Sequence, residues 1–204
     1  MSIGWSILED NDMCVVTIAA GVDDPSDKAS YINLFRRAIM DEVETFAIEY
    51  VVFNLNTSSL LPEIIALDMG LMPVVQEDQS NLDDLRVNFS FKGPGVFTTA
   101  DIEKNNSILK FAQKTKIVEL LENQSLDCDI ILKKGNGKKH AKWRPVSNIG
   151  SALVDENYVF KFKNVGMMST EKILTEGYKK IKDAANANPQ TIFFKHLVPS
   201  FMEL

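Results

Sequence analysis

Two amphipathic helices lie far apart in this chain, one towards each end, and most of what separates them reads as strands punctuated by turns. A helix with a wide apolar stripe must cover it against something, so the two ends either meet each other or find partners. The first helix starts where Asp24 offers a side-chain acceptor, Pro25 takes the first helical position, and Ser26 and Asp27 follow. That is capping chemistry at the positive end of a helix dipole. Along it Ile32, Phe35 and Ile39 share a face, with Tyr31, Leu34 and Ala38 beside them. The last helix is capped by Ser169 or Thr170 and runs to Ala187, with Ile173, Leu174, Tyr178 and Ile181 on one side. The distribution predicts an α+β chain: a discontinuous domain of sheet plus two amphipathic helices over 1–52 and 156–204, and an inserted strand-rich domain over 53–155.

Between the helices the hydrophobic period is two. Trp5–Leu8 and Cys14–Ala20 flank the polar Glu9-Asp10-Asn11-Asp12, which predicts a hairpin. Phe46, Ile48, Tyr50 and Val52 alternate as a strand that Asn54–Ser59 interrupts with turn formers. Pro62 opens a short helix closed by Gly70 and Pro73. Leu85–Phe91 alternates and ends at Gly93-Pro94-Gly95; Ile108–Phe111 and Lys116–Leu121 are short apolar segments. Asp127–Leu132 is the clearest later strand, Lys133–Pro145 a basic loop, and Tyr158, Phe160 and Phe162 a strand with one aromatic face. The tail from Gln190 is too apolar to remain in water.

At 204 residues and 45% hydrophobic content the chain can build a sizeable core. Its net charge of −6 repels phosphate backbones in general, and the one basic cluster is Lys133–Arg144. Two distant cysteines, Cys14 and Cys128, make no disulfide framework. No apolar run reaches the ~20 residues of a bilayer span, and the N-terminus lacks a signal-peptide pattern. The reading is a soluble intracellular protein without a membrane partner.

Catalysis finds little material. The histidines are His140, in a lysine-rich loop, and His196, in the apolar tail; neither lies in a nucleophile or metal motif, and both read as structural or surface residues. Asp127 and Asp129 flank Cys128, but strand alternation points the thiol away from both carboxylates. Gly135-Asn136-Gly137-Lys138-Lys139 lacks the glycine spacing and terminal Lys-Ser/Thr of a phosphate loop. It reads as a solvated turn, or as a docking loop in which Trp143 is the amphipathic anchor, with nucleic-acid binding third. Arg36 and Arg37 are equally readable as a solvated helix edge or as bidentate partners of carboxylates.

Certain residues in order resemble a known family. Leu34-Phe35-Arg36-Arg37-Ala38-Ile39, Phe46-Ala47-Ile48, Asn56-Thr57-Ser58 and Gly70-Leu71-Met72-Pro73 are similar to the alpha-like third-largest subunit of eukaryotic RNA polymerase II. The archaeal D subunit and the N-terminal domain of bacterial alpha are its relatives. The segment Lys134–Pro145 resembles that family's Gly-x-x-Lys-x-His-Ala-Lys-Trp-x-Pro loop, and Phe160 with Gly166 is a weaker match.

The resemblance implies a noncatalytic assembly platform. The two chain ends form a dimerisation domain that pairs with a smaller alpha-like subunit, and the heterodimer docks the second-largest and largest subunits together with small polymerase subunits. Leu34, Phe35, Ile39, Ile173, Leu174, Tyr178 and Ile181 would meet the alpha-like partner. Arg36, Arg37, Lys138, His140, Lys142 and Trp143 would dock large subunits, with little or no direct nucleic-acid contact. Many relatives bind zinc or an iron–sulfur cluster through cysteines in the inserted domain; Gln76–Asp84 has none, so no metal or cofactor is expected. Compactness suggests a large DNA virus, with the host cytoplasm or virion as location, against the nucleus for a cellular chain. The alternative is a free-standing regulatory module that binds protein or nucleic acid with the same fold.

Overall fold

The computed structural model describes residues 5–10, 13–19, 25–76, 82–106, 108–155 and 157–187. The Asp24 cap, the hairpin turn at 11–12, His196 and the apolar tail lie outside them. The chain forms two compact units: Met1–Val43 with Arg144–Val165 and Ser169–Leu204, and Glu44–Trp143 with Gly166–Met168. These divisions fall at 43/44 and 143/144 rather than at 52/53 and 155/156. Strand pairing is the reason, because the segments 44–52 and 146–154 pair within one unit each and cannot be cut in mid-strand.

In the first unit β1 (Trp5–Asp10), β2 (Met13–Ala19), β8 (Val146–Val154) and β9 (Asn157–Asn164) form an antiparallel sheet in the order β1-β2-β9-β8. Cys14, Val16 and Ile18 lie opposite Phe162, Phe160 and Tyr158. All six are buried, so the period of two in both strands produces one continuous apolar face. Helix α1 (Pro25–Arg37) supplies Tyr31 and Phe35, whose rings lie 5.1 Å from Tyr158 and 5.2 Å from Phe160. The apolar stripe of α1 is thereby satisfied on its own sheet.

Two features of this unit were not legible in the sequence. Helix α1 continues as a π-helical turn over Ala38–Glu42, which buries Ala38 and Ile39. Strand β8 reads as turn-forming residues (Ser147, Asn148, Gly150, Ser151) because it is an edge strand whose side chains are mostly exposed. Helix α4 (Thr170–Ala187) starts as expected, with the Lys172 amide donating to Ser169 Oγ at 3.3 Å. Its interior Gly177 has a packing reason: a β-carbon there would fall 2.5 Å from Ile39 Cγ2. Close approach of α4 to the π turn therefore requires glycine.

The second unit is built on β3 (Glu44–Asn56), β4 (Arg86–Lys92) and β7 (Ser125–Asn136), antiparallel in the order β3-β7-β4. Its buried face carries Phe46, Ile48, Phe89, Phe91, Cys128 and Ile130 among others. Ile65 and Met69 of α2 (Pro62–Gly70) pack on that core, as does Ile102 of α3 (Thr99–Asn105). β5 (Gly95–Thr98) and β6 (Lys116–Leu120) form a separate two-stranded pair after a cis Gly93–Pro94 peptide.

Three local expectations change. Asn54 does not break β3, since its amide donates to Asp127 on the neighbouring strand at 2.9 Å. The turn begins at Asn56, whose Oδ1 accepts from the Ser58 amide at 3.0 Å. Gly70 is the last residue of α2 rather than its cap; the capping position is Leu71, with ordinary right-handed geometry. The basic segment is strand as far as Asn136, so β7 outruns its hydrophobic pattern.

Candidate functional site

The Lys133–Arg144 segment is the most structured of the candidate surfaces. Lys133 and Lys134 belong to β7, paired with Ala47 and Phe46 of β3. Lys138, Lys139 and His140 are exposed, and a short 3-10 turn over Ala141–Trp143 brings the chain back inward. Trp143 is only 4% exposed. Its Nε1–H donates to the Lys133 carbonyl at 3.1 Å, and its ring covers Gly135, where a β-carbon would sit 2.6 Å from Cδ2. The indole is therefore a clamp within its own unit, where the sequence reading expects an anchor for docking. Thr45, fully buried on β3, donates its hydroxyl to the Trp143 carbonyl at 2.8 Å.

Lys142 is held as firmly. Its ammonium donates to the Ile48 carbonyl at 3.0 Å, pairs with the Glu49 carboxylate, and lies 4.5 Å over the Trp143 ring. A cation so enclosed satisfies a strand carbonyl and a side-chain acid at once. The Lys142 amide donates to His140 Nδ1 at 3.1 Å, which orients the imidazole while leaving it exposed. Lys138 and His140 are exposed on the loop, while Lys142 and Trp143 hold it in place. Glu49 and Thr45 were missed in the sequence because their role is to receive Lys142 and Trp143 from more than ninety positions away.

In the first unit Arg36 and Arg37 end α1. Arg36 donates to Asn33 Oδ1 at 3.0 Å across one helical turn, and Arg37 is exposed. Nearby, Arg144 Nη2 lies 2.9 Å from Asp41 Oδ1. The residues expected at the alpha-like partner fare differently. Phe35, Ile39, Ile173, Leu174 and Ile181 are buried within their own unit. Leu34 and Tyr178 are half-buried, which leaves part of each side chain open.

The acidic pair around Cys128 divides by strand alternation as expected. Cys128 is buried in the core, where burial first and then Asp127 and Asp129 push its thiol up to about 12. On the opposite face Arg86 donates to Asp129 at 2.6 Å and holds that carboxyl below its usual range, aided by Asn88 and Asn54. These contacts are a cross-strand polar network with no nucleophile in it.

Residues 57–159 match the family model described as the RNA polymerase Rpb3/RpoA insert domain. Among curated proteins, the DNA-directed RNA polymerase subunit Rpo3 of Methanocaldococcus jannaschii is 31% identical over 158 residues, covering 78% of this chain and 82% of the relative. The chain belongs to the Rpb3/RpoA family of RNA polymerase subunits. The Rpo3 subunits of Thermococcus kodakarensis and Pyrococcus furiosus are 35% and 34% identical, and the chain spans 57% and 55% of their lengths. It is accordingly an alpha-like, noncatalytic subunit of DNA-directed RNA polymerase. The mixed sheets and helices agree with the α+β architecture predicted from the distribution of helices and strands. These relatives are archaeal, so shortness does not by itself point to a virus.

Proposed function

We propose that the chain is the assembly platform of a DNA-directed RNA polymerase. Its first unit heterodimerises with a smaller alpha-like subunit, and the pair docks the second-largest and largest subunits along with small subunits. The observation that carries this reading is the similarity to Rpo3 subunits across most of the chain. The half-buried Arg36 and the exposed Arg37 at the end of α1, with the clamped loop around His140, are the surfaces available for large subunits, through planar guanidinium contacts and lysine charges. Direct contact with nucleic acid is minor, because the chain has a net charge of −6 and its basic cluster, Lys133–Arg144, is short.

Burial decides how to test the heterodimer. Phe35→Asp would place a charge in the chain's own core and unfold the first unit whatever it binds. Leu34→Asp instead alters a half-exposed side chain. Coexpressed with the smaller alpha-like subunit, the wild-type chain is expected to copurify with it, whereas Leu34→Asp lowers recovery of the pair at least tenfold while circular dichroism stays unchanged. A wild-type chain that remains a monomer in the presence of that subunit rejects the reading in favour of a free-standing binding module.

A further inference from the structure

Helix α2 is apolar on nearly every side. Ile65 and Met69 enter the core of the second unit, while Leu61, Ile64, Leu67 and Leu71 are 64, 44, 61 and 52% exposed. A helix hydrophobic all round is ordinarily covered on both faces, and here the outer face is exposed among the described residues. At about 100° per residue, Ile64, Leu67 and Leu71 make one stripe, with Glu63 on one flank and Asp68 on the other. The helix carries no basic residue. Beside it runs a groove of about 410 Å³ whose walls include Ile48, Val51, Leu67 and Leu71. Lys142 also reaches this groove, but its charge is paired with Glu49. His140 lines the groove as well, and the charged side chains flanking the stripe on the helix itself are the two exposed acids Glu63 and Asp68.

We infer that the outer face of α2 with its groove is a docking site for an amphipathic helix of another protein chain, one whose apolar stripe is flanked by lysine or arginine. Apolar residues at spacings of three and four fill the groove and cover Leu67 and Leu71, and the flanking cations meet Glu63 and Asp68. A second copy of this chain is the wrong occupant, because it would bring the same two carboxylates against themselves and add another net charge of −6. The site belongs to the second unit, whereas Leu34 and Tyr178, assigned to the alpha-like subunit, belong to the first. Failure here leaves heterodimer formation intact, and failure of the heterodimer leaves this site standing.

The test uses the full chain and two fluorescein-labelled synthetic helices of 18 residues sharing one leucine stripe, one flanked by lysines and the other by glutamates. Fluorescence anisotropy at low salt is expected to show the lysine-flanked peptide binding at least tenfold tighter. The charge-reversed variant Glu63→Lys/Asp68→Lys, altering exposed residues only, reverses that preference. Leu67→Ser/Leu71→Ser weakens binding at least tenfold with an unchanged circular dichroism spectrum. Equal affinity for both peptides, or no effect of either variant, overturns the inference. Preference of the wild-type chain for the glutamate-flanked peptide overturns it too, in favour of the loop lysines. So does a dimer of the chain alone that Leu67→Ser/Leu71→Ser abolishes.

Discussion

A single side chain, Trp143, explains why a basic loop in an acidic protein is ordered. Its ring is seated on Gly135 and its N–H is used by the Lys133 carbonyl, so the loop is fastened to the strand from which it departs. Gly135→Ala drives a methyl group into the indole, and overpacking of that kind costs about 1–3 kcal/mol. The expected outcome is a lower urea midpoint with an unchanged m-value. Cys128 supports a second residue-scale prediction. With its thiol pushed up to about 12 by burial, almost no thiolate exists at pH 8 and the group is also out of reach. In a Cys14→Ser background, Ellman's reagent is expected to react with Cys128 no faster than the chain unfolds. Rapid reaction with the folded protein would contradict the burial.

Among the elements, α3 shows how a short helix is held by its cap. Asp101 reaches back to the Thr98 amide at 2.9 Å and the Thr98 hydroxyl at 3.0 Å, and Lys104 lies one turn on at 2.7 Å. The Lys104 bond first, then the Thr98 amide, bring this carboxyl down to about 2. A carboxyl depressed in the folded state contributes stability that is present above its unfolded value and lost as pH falls through the folded one. Asp101→Ala is accordingly expected to lower stability by about 1 kcal/mol at neutral pH. The gap to wild type should narrow between about pH 4 and pH 2, as thermal melts across that range would show. Thr98-x-x-Asp101 is a start signal visible in the sequence, yet a helix of only seven residues shows too little periodicity to be recognised. Strand β8 escaped for the opposite reason: an edge strand with exposed polar side chains has no hydrophobic alternation to read.

For the whole molecule, the second unit is one continuous stretch apart from Gly166–Met168. Its three-stranded sheet, α2 and α3 share a single apolar core. A fragment of residues 44–143 is therefore expected to fold alone, with near-ultraviolet circular dichroism and one cooperative urea transition; a fragment lacking both would show that the unit depends on the rest of the chain. The first unit offers no such fragment, because β2 from near the N-terminus pairs with β9 from near the C-terminus. Its folding requires closure of a loop of well over a hundred residues, an entropic cost that grows only slowly with length. This is how a chain can carry an inserted domain without losing its outer one.

Local chemistry by itself determined much of this protein. Periods of 3.6 and 2 located α1, α4, β2, β3, β4 and β9, because burial of one face leaves that imprint in the order of residues. The resemblance carried by Leu34–Ile39 and by the His140–Trp143 loop led to the polymerase family. Tertiary structure alone decided which of those residues remain open to a partner. Phe35, Ile39, Leu174 and Trp143 have the composition of interface anchors, yet each is consumed by its own unit, while Leu67 and Leu71 of a short helix remain exposed. Hydrophobicity records that a side chain is to be buried. Only the packed fold decides whether its cover comes from the same chain.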